Sequence, residues 1–154
     1  MIYATLCLKT NHCLRLRIIM NFRTFKQNKL IRDNILQLMQ NNGSKLYWFE
    51  LNDQDFQKQL KIKLVEESLE VQRTQNSIDL TEELADVLEI VYSLAKSHGL
   101  SAKDLEQARL KKQKEKGGYE QKIFLSFAEH PKDSPQERYC LADPDKYPEV
   151  KNNN

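Results

Sequence analysis

"KLVEESLEVQRTQNSIDLTEELADVLEIVYSLAK", residues 63–96, decides the fold. Apolar residues recur at helical spacing on both sides of the polar break "TQNSID" (74–79), so the stretch reads as two amphipathic helices. The first reaches back to a cap at Asn52 or Asp53 and ends near Gln75; the second runs from Leu80 to Lys96. A connection this short makes them an antiparallel hairpin, and the expected fold class is all-α.

Further helices flank the pair. Ile31, Ile35, Leu38 and Met39 share one side of a helix from about Ile31 to Gln40, which "NNG" (41–43) stops. Gly99 ends the second hairpin helix, and Ser101 caps a fourth that reaches about Glu115. Aromatic content predicts short strands at "KLYWFEL" (45–51) and "QKIFLSF" (121–127). All four prolines follow Ala128, so residues 128–154 are expected to form an extended tail. The domain proper is expected over residues 20–127. Residues 1–19 read as an extension without structure of its own, with Met20 an alternative start.

Composition narrows the function. There are 24 Lys and Arg against 22 Asp and Glu, but the first 32 residues hold seven of the bases and no acid. The rest of the chain is therefore acidic, and no basic groove interleaved with aromatics points to nucleic acid. Three cysteines form no CxxC pair, which fits a reducing cytoplasm better than a secreted disulfide framework. His12 beside Cys13 lacks the ligand spacing of a zinc site. No apolar run is long enough for a membrane span.

The acids of the hairpin are the candidate chemistry. Phe56, Leu60, Leu64 and Val71 fall within about 80° of each other on the helical wheel; Glu67 lies inside that arc and Glu70 at its edge. Glu66 points further out. On the second helix Glu83 is at the margin of the stripe of Leu80, Leu84, Val87, Leu88, Val91 and Leu94, Asp86 is just beyond it, and Glu82 and Glu89 face away. Burying a lone carboxylate costs several kcal/mol unless it is paired or neutralised, and neither stripe contains a base. In an antiparallel hairpin Glu67 and Glu70 come to similar heights as Glu83 and Asp86. Four converging carboxylates repel, and a divalent cation relieves that repulsion. An all-oxygen donor set favours Mg²⁺, with Mn²⁺ possible, over zinc. Mg²⁺ commonly binds through a few carboxylates and substrate phosphates, which makes a nucleoside triphosphate the natural ligand. Lys63 and the bases of the fourth helix, including Arg109, Lys112 and Lys116, are candidate phosphate contacts, although a basic last turn is also ordinary dipole compensation.

The ExxE of Glu67 and Glu70, followed after twelve residues by the ExxD of Glu83 and Asp86, resembles the signature of the MazG-like all-α nucleoside triphosphate pyrophosphohydrolases. "NKLIRDNI" is similar to that family's opening KLVRDKI, "KLVEESLE" to its KLxEExxE, "EELADVLEIVYSLAKSHGL" to its second helix, and "ARLKKQKEKGGYEQKIFL" to its closing RxxKxxxRGGF and strand. The likeness covers roughly residues 28 to 125, and the layout is nearest to the phosphoribosyl-ATP pyrophosphohydrolase-like subgroup.

The resemblance implies a four-helix bundle core in a homodimer or homotetramer. It implies hydrolysis of a nucleoside triphosphate to the monophosphate and pyrophosphate. Mg²⁺ would be held by Glu67, Glu70, Glu83 and Asp86, which are also the catalytic residues, with Lys63, Arg109, Lys112 and Lys116 on the phosphates. Leu36 stands where the family has proline, Asn34 where it has lysine, Lys116 where it has arginine and Tyr119 where it has phenylalanine. Two other readings are phosphoribosyl-ATP pyrophosphohydrolase of histidine biosynthesis, and a non-catalytic helical protein whose acids meet a partner's basic surface.

Overall fold

The structure, a computed structural model, describes residues 21–150. The extension expected over residues 1–19 lies outside them. Five helices follow in order: α1 (Asp33–Asn41), α2 (Asp53–Arg73), α3 (Ser77–Ser97), α4 (Ala102–Lys116) and α5 (Pro135–Leu141). No strand occurs among the described residues, and the fold is all-α. None of the helices is long and apolar enough to cross a membrane. The chain divides into two compact units, one through Ala102 and one from Lys103.

In the first unit α2 and α3 pack as a hairpin. Both begin with the same local device. Asn52 accepts a hydrogen bond from the Asp55 amide at 2.9 Å, and its side-chain amide donates to the Asp55 carboxylate at 2.9 Å. Asn76 repeats this with Asp79, accepting from the backbone at 2.9 Å and donating to the carboxylate at 2.8 Å. Each Asn-x-x-Asp box satisfies amides that a helix start leaves unpaired and places a negative charge at the positive end of the dipole.

Only Thr74, Gln75 and Asn76 separate the two helices, and Thr74 closes α2 by donating its hydroxyl proton to the Val71 carbonyl at 2.8 Å. At the opposite end Gln57, early in α2, donates to the carbonyl of Ser97, the last residue of α3, at 2.8 Å. That bond fixes the antiparallel register. Gly99, with φ of 74°, then lets the Leu100 amide return to the Ala95 carbonyl at 2.9 Å and stop the helix.

Leu60, Ile90 and Ala95 form the buried apolar core, a small one for helices of this length. Ile62, Val65 and Leu69 make a second stripe on α2, on the side away from Leu60, and all three are exposed. Leu84, Leu88 and Tyr92, each four residues apart on α3, are likewise exposed. The helix pair that packs is α2 with α3, so the first unit forms a hairpin where the sequence led us to expect part of a four-helix bundle.

The two expected strands are not formed. Residues 45–51 form no regular secondary structure and make no backbone ladder bonds, and Tyr47 is 91% exposed. Over residues 121–127, Gln121 belongs to a turn, Lys122 at φ 54° returns its amide to the Tyr119 carbonyl at 3.1 Å, and Phe124 is 89% exposed. Aromatic and β-branched residues favour a pleated, half-buried surface, and without a paired neighbour that preference produces no strand.

In the second unit α4 is strongly charged and buries no residue. The stretch expected to be extended after Ala128 contains α5. Ser134 caps it, accepting from the Glu137 amide at 3.2 Å, and Pro135 takes the first turn, where its missing N–H costs nothing. Beyond α5 the chain returns so that the rings of Tyr139 and Tyr147 lie 5.4 Å apart.

Candidate metal centre

The hairpin brings three of the four expected carboxylate ligands together. One oxygen from each of Glu67, Glu70 and Glu83 lies within 4.8 Å of the others. The positions follow from helix geometry: Glu67 and Glu70 are one turn apart near the end of α2, and Glu83 comes from the second turn of α3, directly across the short connection. Glu67 is the deepest, only 4% exposed. Glu70 and Glu83 are half-buried.

Lys63, one turn before Glu67, holds two of its neighbours. Its ammonium is paired with Glu67 and lies 2.9 Å from the carboxylate of Glu66, which settles Glu66 at the rim. One oxygen of Glu67 is thereby occupied. The other, Oε2, is buried without a hydrogen-bond partner, and so is Oε2 of Glu83. A buried carboxylate oxygen left unpaired is costly, so these two atoms are where the site lacks a cationic neighbour.

The electrostatics carry the same pattern. Burial pushes the Glu67 carboxyl up, but hydrogen bonds with Lys63 and Glu70, with the charges of Lys63 and Arg32, outweigh it and hold Glu67 below the ordinary carboxylate range. Glu70 is raised, first by its hydrogen bond with Glu67 and then by the charges of Glu67 and Glu83. Burial depresses Lys63, yet its bonds with Glu67 and Glu66 keep its proton more tightly bound than usual. Opposite shifts in neighbouring carboxyls are expected where acids crowd together with too little positive charge beside them.

Asp86 is not in the cluster. It lies one turn beyond Glu83 on α3 and is ion-paired with Arg32, the residue immediately before α1. Arg32 has an extended backbone and makes no side-chain cap for its own helix, so its guanidinium reaches α3 instead. Sequence reasoning gave Arg32 no role; its place in "KLIRDN" was the available signal.

Beside the cluster, Glu70, Arg73, Thr74, Asp79, Glu82 and Glu83 line an open cleft of about 290 Å³. The cleft shares Glu70 and Glu83 with the carboxylate group. The other expected phosphate contacts belong to α4. Arg109 is held there by both carboxylate oxygens of Glu106 at 2.8 Å and by Gln113 at 3.3 Å. Lys112 and Lys116 are exposed on the same helix.

The residues present fit a hard divalent cation. The donors are all oxygen, three of them converge, and two carboxylates offer buried oxygens that nothing satisfies. Compared with family models, with curated proteins and with solved structures, the chain matches none.

Proposed function

We propose that this chain is a divalent-cation-dependent nucleoside triphosphate pyrophosphohydrolase, and that Glu67, Glu70 and Glu83 hold Mg²⁺, or Mn²⁺ in its place. The observation that carries the reading is the pair of unpartnered, buried oxygens, Oε2 of Glu67 and Oε2 of Glu83, on two carboxylates that also bring an oxygen each within 4.8 Å of one another. Four blocks of sequence likeness to MazG-like enzymes, in the right order, support it.

A bound cation would neutralise phosphate charge and sharpen a coordinated water. The chain's own residues do the rest. Glu67 and Glu83 fix the floor of the site, and Lys63 keeps Glu66 and Glu67 in place while its charge attracts the polyphosphate. The cleft between Glu70 and Asp79 receives part of the nucleotide. Water oxygen bonds to the α-phosphorus, the bond from that phosphorus to the bridging oxygen breaks, and pyrophosphate leaves. The water's proton passes to a rim carboxylate, Glu66 or Glu70.

We further infer that two copies of the chain pair through their hairpins. Three buried apolar residues among those described are a thin core, whereas Ile62, Val65 and Leu69 on α2 and Leu84 and Leu88 on α3 face solvent. Joining two hairpins through such stripes would give a four-helix bundle. A homodimer is the smallest assembly that does this, and a homotetramer repeats it.

The test is pyrophosphate release from a panel of ribo- and deoxyribonucleoside triphosphates and phosphoribosyl-ATP, with and without Mg²⁺. The expected result is Mg²⁺-dependent release by the wild type, lost in Glu67→Gln and Glu83→Gln. Preference for phosphoribosyl-ATP would place the same chemistry in histidine biosynthesis. Full activity in both variants would remove the site assignment. If no nucleotide is cleaved, the acids serve a binding protein instead.

A further inference from the structure

Among the described residues, Lys63 and Arg32 are ion-paired with acids of the hairpin, and they are held very differently. Lys63 comes from α2 itself, is half-buried, and is committed to two carboxylates one turn away. Arg32 comes from a separate element, 54 residues from its partner Asp86, and both side chains are open to solvent, 58% and 41% exposed. Its partner Asp86 lies one turn beyond Glu83 on α3, at the edge of the carboxylate cluster. A guanidinium held by one exposed carboxylate, one helical turn from Glu83, is weakly restrained, since surface ion pairs contribute little and are screened by salt. Its planar fork also matches two phosphate oxygens at once.

We propose that Arg32 is a phosphate-binding residue of this site that changes partner, leaving Asp86 for an incoming pyrophosphate group and freeing Asp86 to join Glu67, Glu70 and Glu83. The inference rests on the cation-binding reading of the hairpin. The ion pair keeps Asp86 neutralised while the site lacks a cation. The arrival of positive charge among the glutamates reduces the attraction that holds Arg32, and a polyphosphate supplies a stronger acceptor. Arg32 then marks which end of the hairpin the leaving pyrophosphate occupies.

The experiment uses the full-length chain and two titrations. Mn²⁺ alone is titrated by calorimetry into wild type, Arg32→Gln and Arg32→Lys; inorganic pyrophosphate is then titrated into each in saturating Mg²⁺. Arg32→Gln should bind Mn²⁺ at least as tightly as wild type, because a competing cation has gone. It should bind pyrophosphate about tenfold more weakly, the loss of a charge-assisted bond. Arg32→Lys, keeping the charge without the fork, should fall between. Unchanged pyrophosphate affinity in Arg32→Gln overturns the proposal. So does an equal loss of Mn²⁺ and pyrophosphate binding, which would make Arg32 a purely structural tie. If the wild type fails to bind Mn²⁺, the cation site itself is wrong and this inference goes with it, an outcome the first titration separates from the others.

Discussion

Glu67 on α2 and Glu83 on α3 each keep one carboxylate oxygen buried and unpartnered, although Lys63 is close enough to pair with the other oxygen of Glu67. The two helices would not bury such atoms for stability. Apolar side chains there would pack without any desolvation cost, so the pair is retained at the expense of the hairpin. A ligand that binds this arrangement should return that cost.

Mg²⁺ or Mn²⁺ should therefore raise the melting temperature of the wild-type protein. At a cation concentration about a hundredfold above Kd the stabilisation is about 2.7 kcal/mol. Glu83→Ala should abolish the shift, and thermal melts with and without chelator measure it. An equal shift in Glu83→Ala would mean that the cation binds elsewhere.

The helix starts can be tested apart from the site. Replacing Asn76 by Ala removes the acceptor for the Ile78 and Asp79 amides at the start of α3. Denaturant unfolding should show a loss of about 1 kcal/mol, the usual worth of a cap. Asn52→Ala at α2 should cost a similar amount, while leaving the connection beside the carboxylates untouched.

Assembly through the apolar stripes makes a distinct claim. Leu88→Glu places a charge on the exposed ridge of α3, and light scattering after gel filtration should show a smaller species than the wild type. Both proteins eluting as the same oligomer would move the interface away from this face. A monomeric wild type would dismiss it.

The tail carries a pH signature of its own. The hydroxyls of Tyr139 and Tyr147 are 3.3 Å apart. Tyr147 is lowered, first by its hydrogen bond with Tyr139 and then by Lys146, and Tyr139 is raised in turn. Tyr147 should thus lose its proton at a lower pH than an ordinary phenol, and Tyr139→Phe should shift that ionisation upward. Tyrosinate absorbance, compared between wild type, Tyr139→Phe and Tyr147→Phe, reads the order directly.

Local rules made much of this molecule legible in its sequence. Apolar spacing located three helices and the Gly99–Ser101 stop and cap a fourth, and the start of α2 was placed at Asn52 or Asp53, because caps and periodicity depend only on near neighbours. The wheel placed Glu67 inside the apolar arc, and it is the buried acid. Spacing across a short turn was enough to bring Glu70 and Glu83 to it. What failed depends on distant partners. "KLYWFEL" and "QKIFLSF" have strand-like composition, but a ladder requires a neighbour that composition does not specify. Asp86 has the right spacing for a fourth ligand, yet its side chain is held by a residue 54 positions away. The helix at 135–141 was readable from "SPQE", a Ser cap, proline at the first position and Glu at the third, and the density of prolines around it obscured that signal.

The central claim is that the carboxylates of Glu67, Glu70 and Glu83 make a cation site that serves nucleotide cleavage. The most direct measurement follows both products from one triphosphate in Mg²⁺, in wild type and in Glu83→Gln. Nucleoside monophosphate and pyrophosphate in equal amounts from the wild type, and neither from the variant, is the result this account predicts. Release of nucleoside diphosphate and orthophosphate, or undiminished cleavage by Glu83→Gln, would contradict it.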